Sequence, residues 1–190
     1  MKKLEHIIEQ HDTDKNTCHS YAAHYDKLFT RLRDSATDVL EIGVNHGGSV
    51  RTWLEYFRKA TIYGVDINIY KKPKLDDLFD NTRVNLYEGN AYSDSFLENF
   101  RDIKFDIMID DGSHKARDMK YFVSNYLRFL KPGGILIVED VKHSHRKKLN
   151  NFLKSCLPVE ARDKSYFLDI RHERGRSKCP NNILFVYSEN

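Results

Sequence analysis

Five short apolar runs rich in β-branched residues recur along the chain: DVLEIG (38–43), TIYGVD (61–66), RVNLYEG (83–89), KFDIMID (104–110) and GGILIVE (133–139). They are nearly continuous rather than alternating, and stretches of helical spacing separate them. Strands buried on both faces have this look, so the pattern predicts a parallel sheet covered by helices on each side. Between the fourth and fifth runs, HKARDMKYFVSNYLRFLKPGG carries Met119, Phe122, Val123, Tyr126, Leu127 and Leu130 on one face of a helix. The Pro-Gly-Gly that follows reads as its stop. RKKLNNFLKSCL reads as a second amphipathic helix. KSYFLDIRH (164–172) and NILFVYS (182–188) are two more strand candidates, joined by a Gly- and Pro-containing loop. A hairpin there would complete a seven-stranded sheet with one antiparallel strand. Two helical patterns, near 2–10 and 21–33, come first and flank the polar stretch HDTDKNTCHS. There is no internal repeat, linker or low-complexity tract. The expectation is one doubly wound α/β domain over residues 1–190, with a helical segment (1–35) ahead of the core (36–190).

Composition narrows the class rather than the function. A length of 190 residues suits one domain. Cys18, Cys156 and Cys179 are odd in number and scattered, which argues for reduced thiols in a cytoplasmic protein rather than a disulfide framework or zinc knuckle. The N-terminus lacks the sustained apolar stretch of a signal peptide, and no run approaches the length of a membrane span. A formal charge of +3 is too small to demand nucleic acid as a partner, although it would suit an anionic small molecule.

The chemistry sits where the strands end. VLEIGVNHGGSV (39–50) is a strand, a glycine-rich turn and a helix start, with Glu41 two residues before Gly43. A dinucleotide site would show G-x-G-x-x-G. The sequence G-x-x-x-G-G after an acid instead favours a ligand with a cationic or hydroxyl-bearing portion. Asp66 ends the second strand, where an acid accepts hydrogen bonds from ribose hydroxyls. Gly89-Asn90 ends the third and Asp110 the fourth. Ligands of such sheets lie beyond the carboxyl ends of the strands, so these residues should line one crevice.

Together these strand ends resemble class I S-adenosylmethionine-dependent methyltransferases over about residues 36–188. The resemblance implies a Rossmann-like sheet, S-adenosyl-L-methionine as cofactor, and a cofactor site drawn from Tyr21, Glu41, Gly43, Ser49, Asp66, Asn90 and Asp110.

Such an enzyme has no need of the second acid and the histidine in MIDDGSH (108–114). The fifth strand also ends in acids, Glu139 and Asp140, and it should neighbour the fourth. Asp111, Glu139 and Asp140 could then converge, and carboxylates that converge call for a hard cation such as Mg²⁺. A divalent ion there would orient an acceptor hydroxyl, and His114 could take its proton. The plainer alternative is that Asp111 and Ser113 cap a helix in whose first turn His114 is merely solvated.

IDDGSH and VED, with TDKNTCHSYAAHYDKLF ahead of VLEIGVNHGGSVRTW, are similar to the metal-dependent sugar O-methyltransferases of macrolide biosynthesis over about residues 12–141. That resemblance implies Mg²⁺ on Asp111, Glu139 and Asp140, and His114 as catalytic base. It also implies that the TDKNTCHSY stretch folds over the cofactor's methionine end, with Tyr21 in contact. The acceptor would be a sugar hydroxyl on a small molecule or glycan; catechol-like or nucleic-acid hydroxyls, or a non-catalytic cofactor-binding module, are the alternatives. A homo-oligomer is left open. The basic cluster HSHRKK (143–148) reads as a solvated helix face that could attract phosphate, and Trp53 as core.

Overall fold

The computed structural model describes residues 2–15, 19–69, 73–172 and 182–188. Seven strands form one sheet: β1 (Asp38–Ile42), β2 (Thr61–Asp66), β3 (Val84–Glu88), β4 (Phe105–Asp110), β5 (Leu130–Val138), β6 (Ser165–Asp169) and β7 (Ile183–Ser188). Their order is β3-β2-β1-β4-β5-β7-β6. Only β7 runs opposite to its neighbours, inserted between β5 and β6 and antiparallel to both. This is the doubly wound sheet expected from the apolar runs. The Gly- and Pro-containing loop of the hairpin, and Cys18 and Cys179, lie outside the described residues.

The near-continuous apolar runs place alternate side chains in two cores. Ile107 and Ile109 of β4 face one layer with Tyr25, Phe29 and Trp53, whereas Met108 faces the other with Met119 and Phe122. The first layer is built by α1 (Leu4–Ile8), α2 (Ala22–Phe29) and α3 (Gly48–Tyr56). Two short helices, α4 (Asp76–Phe79) and α5 (Asp94–Leu97), follow β2 and β3. The second layer includes α6 (Ala116–Tyr126), whose buried stripe is Met119, Phe122, Val123 and Tyr126, together with α7 (His143–Cys156) and α8 (Val159–Asp163). Among the described residues no helix is long and apolar enough to cross a membrane.

One expectation fails at the start of β5. The Pro-Gly-Gly does not stop α6, which has already ended at Tyr126 with a 3₁₀ turn over Leu127–Phe129. It lies inside β5, where pairing steps from Phe105↔Leu130 to Ile107↔Ile135. Lys131–Gly134 therefore bulge opposite Asp106, and Gly133 takes a left-handed φ of 76°. A bulge tolerates a proline because the missing N–H is not part of the ladder. Lys131 anchors it, donating to Asp38 at 2.8 Å and Asp106 at 2.9 Å.

Candidate active site

Strand order reverses between β1 and β4, and a crevice opens there at the carboxyl ends. The ladder continues one residue past the strands: Asp111 N–H donates to Ile42 at 2.9 Å, and Glu139 N–H to Asp110 at 2.9 Å. Gly43, Asp111 and Glu139 are thereby set side by side. Gly43 has φ 96°, and a Cβ there would lie 2.1 Å from the carbonyl oxygen of Asp111, so only glycine lets the two turns approach. At Gly48 a Cβ would lie 1.9 Å from the carbonyl oxygen of Asp12, because the N-terminal segment crosses the first turn of α3.

The crevice is a cavity of about 940 Å³. Gly43, Ser49, Asp66, Asn90, Asp111, His114 and Asp140 line it. Asp66 accepts backbone N–H bonds from Asn45 at 2.9 Å and Asn68 at 3.1 Å, which fix its carboxylate at the end of β2.

Three expected cofactor residues lie behind the wall rather than on it. Glu41 is fully buried and accepts a 2.6 Å bond from Ser49, so the serine stands between it and the cavity. Asp110 is turned beneath the floor, where it accepts from the Tyr92 hydroxyl at 2.6 Å and from Gly112 N–H at 3.3 Å. Burial pushes its carboxyl up to about 7, against the pull of the Tyr92 bond. Tyr21 is buried too, and its hydroxyl donates to Asp140 at 2.6 Å. Burial, and next the charge of Asp140, hold that phenol far above the usual tyrosine range.

The acids past β4 and β5 sort into two groups. Asp111, His114 and Asp140 each present a ligand atom to the cavity, all within 4.8 Å of one another. The two carboxylates could share a hard divalent cation, with the His114 imidazole beside it. His114 and Asp140 both have φ 53°, an uncommon left-handed backbone for residues other than glycine, and it turns both side chains into the crevice. His114 Nδ1 is buried and has no hydrogen-bond partner among the described residues. α6 begins at Ala116 with Lys115 as its N-cap and no side-chain cap. Ser113 Oγ accepts from the Lys115 N–H at 3.3 Å and donates to Asp118 at 2.6 Å.

Glu41, Asp111 and Glu139 make the second group, and a lysine fills it. Lys15 is 1% exposed, and its ammonium lies 2.7 Å from Glu139, 2.8 Å from Asp111 and 3.4 Å from Glu41. Tyr25 completes Glu139 with a 2.6 Å bond to the same oxygen, Oε1. Burial alone would lower the lysine, but the charges of Asp111, Glu139 and Glu41 outweigh it and hold Lys15 well above its usual range. Burial raises Glu41, and burial with the charge of Asp111 raises Glu139; Lys15 pulls both back. Glu139, expected with Asp111 and Asp140 as a metal ligand, lies with Asp111 around the Lys15 ammonium.

Lys15, Tyr25, His19 and Tyr92 were not singled out by sequence reasoning. His19 stacks on Tyr21 with ring centroids 4.8 Å apart, and its Nδ1 lies 3.3 Å from Asp140 and 2.6 Å from Asn182. The signal was present in TDKNTCHSYAAHY, whose lysine, histidine and tyrosines are the residues that reach the strand-end acids. Asn16, Thr17 and Cys18 of that stretch lie outside the described residues.

Residues 40–141 match the family described as "Methyltransferase domain". The chain is 34% identical over 151 residues to 8-demethyl-8-alpha-L-rhamnosyl tetracenomycin-C 2'-O-methyltransferase of Streptomyces olivaceus, covering 75% of this chain and 38% of that protein. It is 34% identical over 132 residues to mycinamicin VI 2''-O-methyltransferase of Micromonospora griseorubida, covering 65% of this chain and 32% of that one. Among solved structures it is similar to the MycE methyltransferase of the mycinamycin pathway in complex with Mg, SAH and mycinamycin VI. That likeness has a TM-score of 0.65 and 32% identity, over 73% of this chain and 39% of that one. The chain spans well under half the length of each of these relatives. Its sheet, its strand-end site and the match over residues 40–141 agree: the chain belongs to the methyltransferase-domain family.

Proposed function

We propose that this chain is an S-adenosylmethionine- and Mg²⁺-dependent O-methyltransferase acting on a sugar hydroxyl of a glycoside, glycan or nucleotide sugar. One observation carries the reading. The group Asp111, His114 and Asp140 opens into the same cavity as Gly43, Ser49, Asp66 and Asn90, so a metal-held acceptor and a nucleoside cofactor would share one chamber. The names of two relatives, which methylate 2'- and 2''-positions of glycosides, and the Mg and SAH bound to MycE support the same choice.

S-adenosylmethionine would supply the methyl group, and a divalent ion on Asp111 and Asp140 would orient the acceptor hydroxyl and ease its ionisation. Asp66 would hold the ribose hydroxyls at the end of β2. Gly43 and Gly48 keep the cofactor end of the chamber narrow, since each lies against a crossing backbone. His114 would take the proton from the acceptor hydroxyl at an imidazole nitrogen, while the methyl's bond to the sulfonium sulfur breaks and S-adenosylhomocysteine leaves. An imidazole nitrogen lies within 4.8 Å of a carboxylate oxygen of both Asp111 and Asp140. Tyr21 and His19 orient Asp140, and Tyr92 with Asp110 shapes the floor.

The test is methyl transfer from labelled S-adenosylmethionine to a panel of sugar nucleotides and glycosides, with and without EDTA. The expected result is transfer that EDTA abolishes and Mg²⁺ restores. S-adenosylhomocysteine should raise the melting temperature even in chelator, and NAD should not. Full turnover in EDTA would remove the metal from this reading, and equal stabilisation by NAD would remove the cofactor.

A further inference from the structure

An imidazole base is ordinarily oriented through a hydrogen bond to its second nitrogen. His114 lacks that support: its buried Nδ1 meets no partner among the described residues. The ring's position is therefore set by the turn that carries it, and a side chain from another strand end holds that turn. The hydroxyl of Tyr92, in the loop after β3, accepts from the Ser113 N–H at 3.2 Å and donates to the Asp110 carboxylate at 2.6 Å. We propose that Tyr92 is a positioning residue for His114, fixing the Gly112–Ser113 turn from the opposite side of the crevice. This rests on the reading above, that His114 is the base.

Asp110 Oδ1, which accepts from Tyr92, also accepts from the Gly112 N–H at 3.3 Å, so consecutive amides of the turn end on one hydroxyl and its carboxylate. Gly112 packs so closely on the phenol that a Cβ there would lie 2.2 Å from the hydroxyl oxygen. The β3 loop is itself tied down. The Tyr92 N–H donates to Asn90 Oδ1 at 3.1 Å, and Tyr126 of α6 donates to the Ala91 carbonyl at 2.7 Å. Asn90, Tyr92 and His114 all line the crevice. Asp111 needs no such clamp, since its N–H is bonded to Ile42 and its carboxylate to Lys15. Past it the ladder stops, and His114 lies three residues on with φ 53°. A left-handed residue of that kind persists where its surroundings over-determine it, and the bonds to Gly112 and Ser113 do so here.

Amide hydrogen exchange followed by NMR reads the clamp directly, without substrate or metal. In the wild type the Ser113 N–H should exchange about tenfold more slowly than an unprotected peptide amide, the protection one hydrogen bond can give. Tyr92→Phe, which keeps the ring, should lose that protection, while the ladder amides of Asp111 and Glu139 keep theirs. Gly112→Ala, whose Cβ takes the hydroxyl's place, should do the same. Asp110→Asn retains an acceptor oxygen for the phenol and should leave Ser113 protected. With an acceptor found in the panel above, Tyr92→Phe should lower kcat about tenfold or more by misplacing the base, with KM and S-adenosylhomocysteine affinity within about threefold of wild type. An unprotected Ser113 in the wild type, or protection that persists in Tyr92→Phe, overturns the inference. So does a loss shared equally by Asp111 and Glu139, or wild-type kcat in a variant whose Ser113 amide has been freed. If Tyr92→Phe does not fold, Gly112→Ala decides by the same two readings; if no acceptor turns over, the amide decides alone. Turnover that survives His114→Ala removes the base reading, and this role with it, whatever Ser113 shows.

Discussion

The inner and outer halves of the acid cluster are built from neighbouring residues and have opposite character. Glu139 is buried, bonded to Lys15 and Tyr25, and is not part of the crevice lining; Asp140, the next residue, turns through a left-handed backbone into the crevice. Asp110 and Asp111 repeat the contrast across the strand gap, one beneath the floor and one on it. Strand alternation divides Asp110 from Asp111, and the left-handed turn at Asp140 divides it from Glu139. The inner member needs a neutralising partner from the protein, because an unpaired buried charge is costly. The outer member can leave its charge for a ligand. In both pairs one acid lines the crevice and the other is satisfied inside the protein, Glu139 by Lys15 and Tyr25 and Asp110 by Tyr92 and Gly112.

The largest expected effect tests the outer half. His114→Ala, with saturating Mg²⁺ and cofactor, should lower turnover on the order of 10²–10⁴-fold. Cofactor affinity should hardly change, and His114→Gln should be about as poor. If either variant keeps more than about a tenth of wild-type turnover, the proton goes elsewhere and the outer half serves only to hold the acceptor.

Asp110 tests what happens to a buried acid whose partners, Tyr92 and Gly112, carry no positive charge. Its folded-state value near 7 lies above the ordinary 3.8, so between those values the native protein binds the proton more readily than the unfolded chain. The sign follows: stability contributed by protonation is present at low pH and is lost as pH rises toward 7. Urea unfolding should show wild-type stability falling by up to about 1.4 kcal/mol per pH unit in that window from this group. Asp110→Asn should flatten the slope. An unchanged slope would mean that Asp110 does not titrate there.

Asp66→Ala should weaken S-adenosylhomocysteine binding by about 1.5–3 kcal/mol, on the order of 10–100-fold, through lost bonds to a charged acceptor. Calorimetric titration checks it, and an unchanged affinity would move the ribose away from β2. The smallest effect belongs to the inner half. Tyr25→Phe removes one donor to Glu139 and should cost about 1–3 kcal/mol of folding stability, a few degrees of melting temperature, with Mn²⁺ affinity little changed. A large loss of Mn²⁺ affinity with unchanged melting temperature would erase the distinction between the halves.

Much of the fold was legible because apolar runs of strand length, separated by helical spacing, leave few arrangements that bury both faces of each strand. The α6 stripe of Met119, Phe122, Val123 and Tyr126 was readable for the same reason. The bulge at Lys131–Gly134 was not, because Pro-Gly-Gly stops a helix and kinks a strand equally well, and pairing with β4 decides between them. For the site, residues at strand ends could be placed together once the sheet order was inferred. Which way each side chain turned could not, since that depends on left-handed backbones at His114 and Asp140 that no propensity dictates.

By itself the sequence determined that this chain forms a doubly wound sheet with acids, glycines and one histidine gathered at its carboxyl edge. Periodicity and strand-end position are local properties, written in consecutive residues. Only the tertiary structure decided how those acids divide. The deciding residue, Lys15, stands 96 positions from Asp111 and 124 from Glu139, in a polar stretch with no periodicity to announce it. A buried charge is neutralised by whatever the fold brings within about 3 Å, and sequence separation carries no information about that distance.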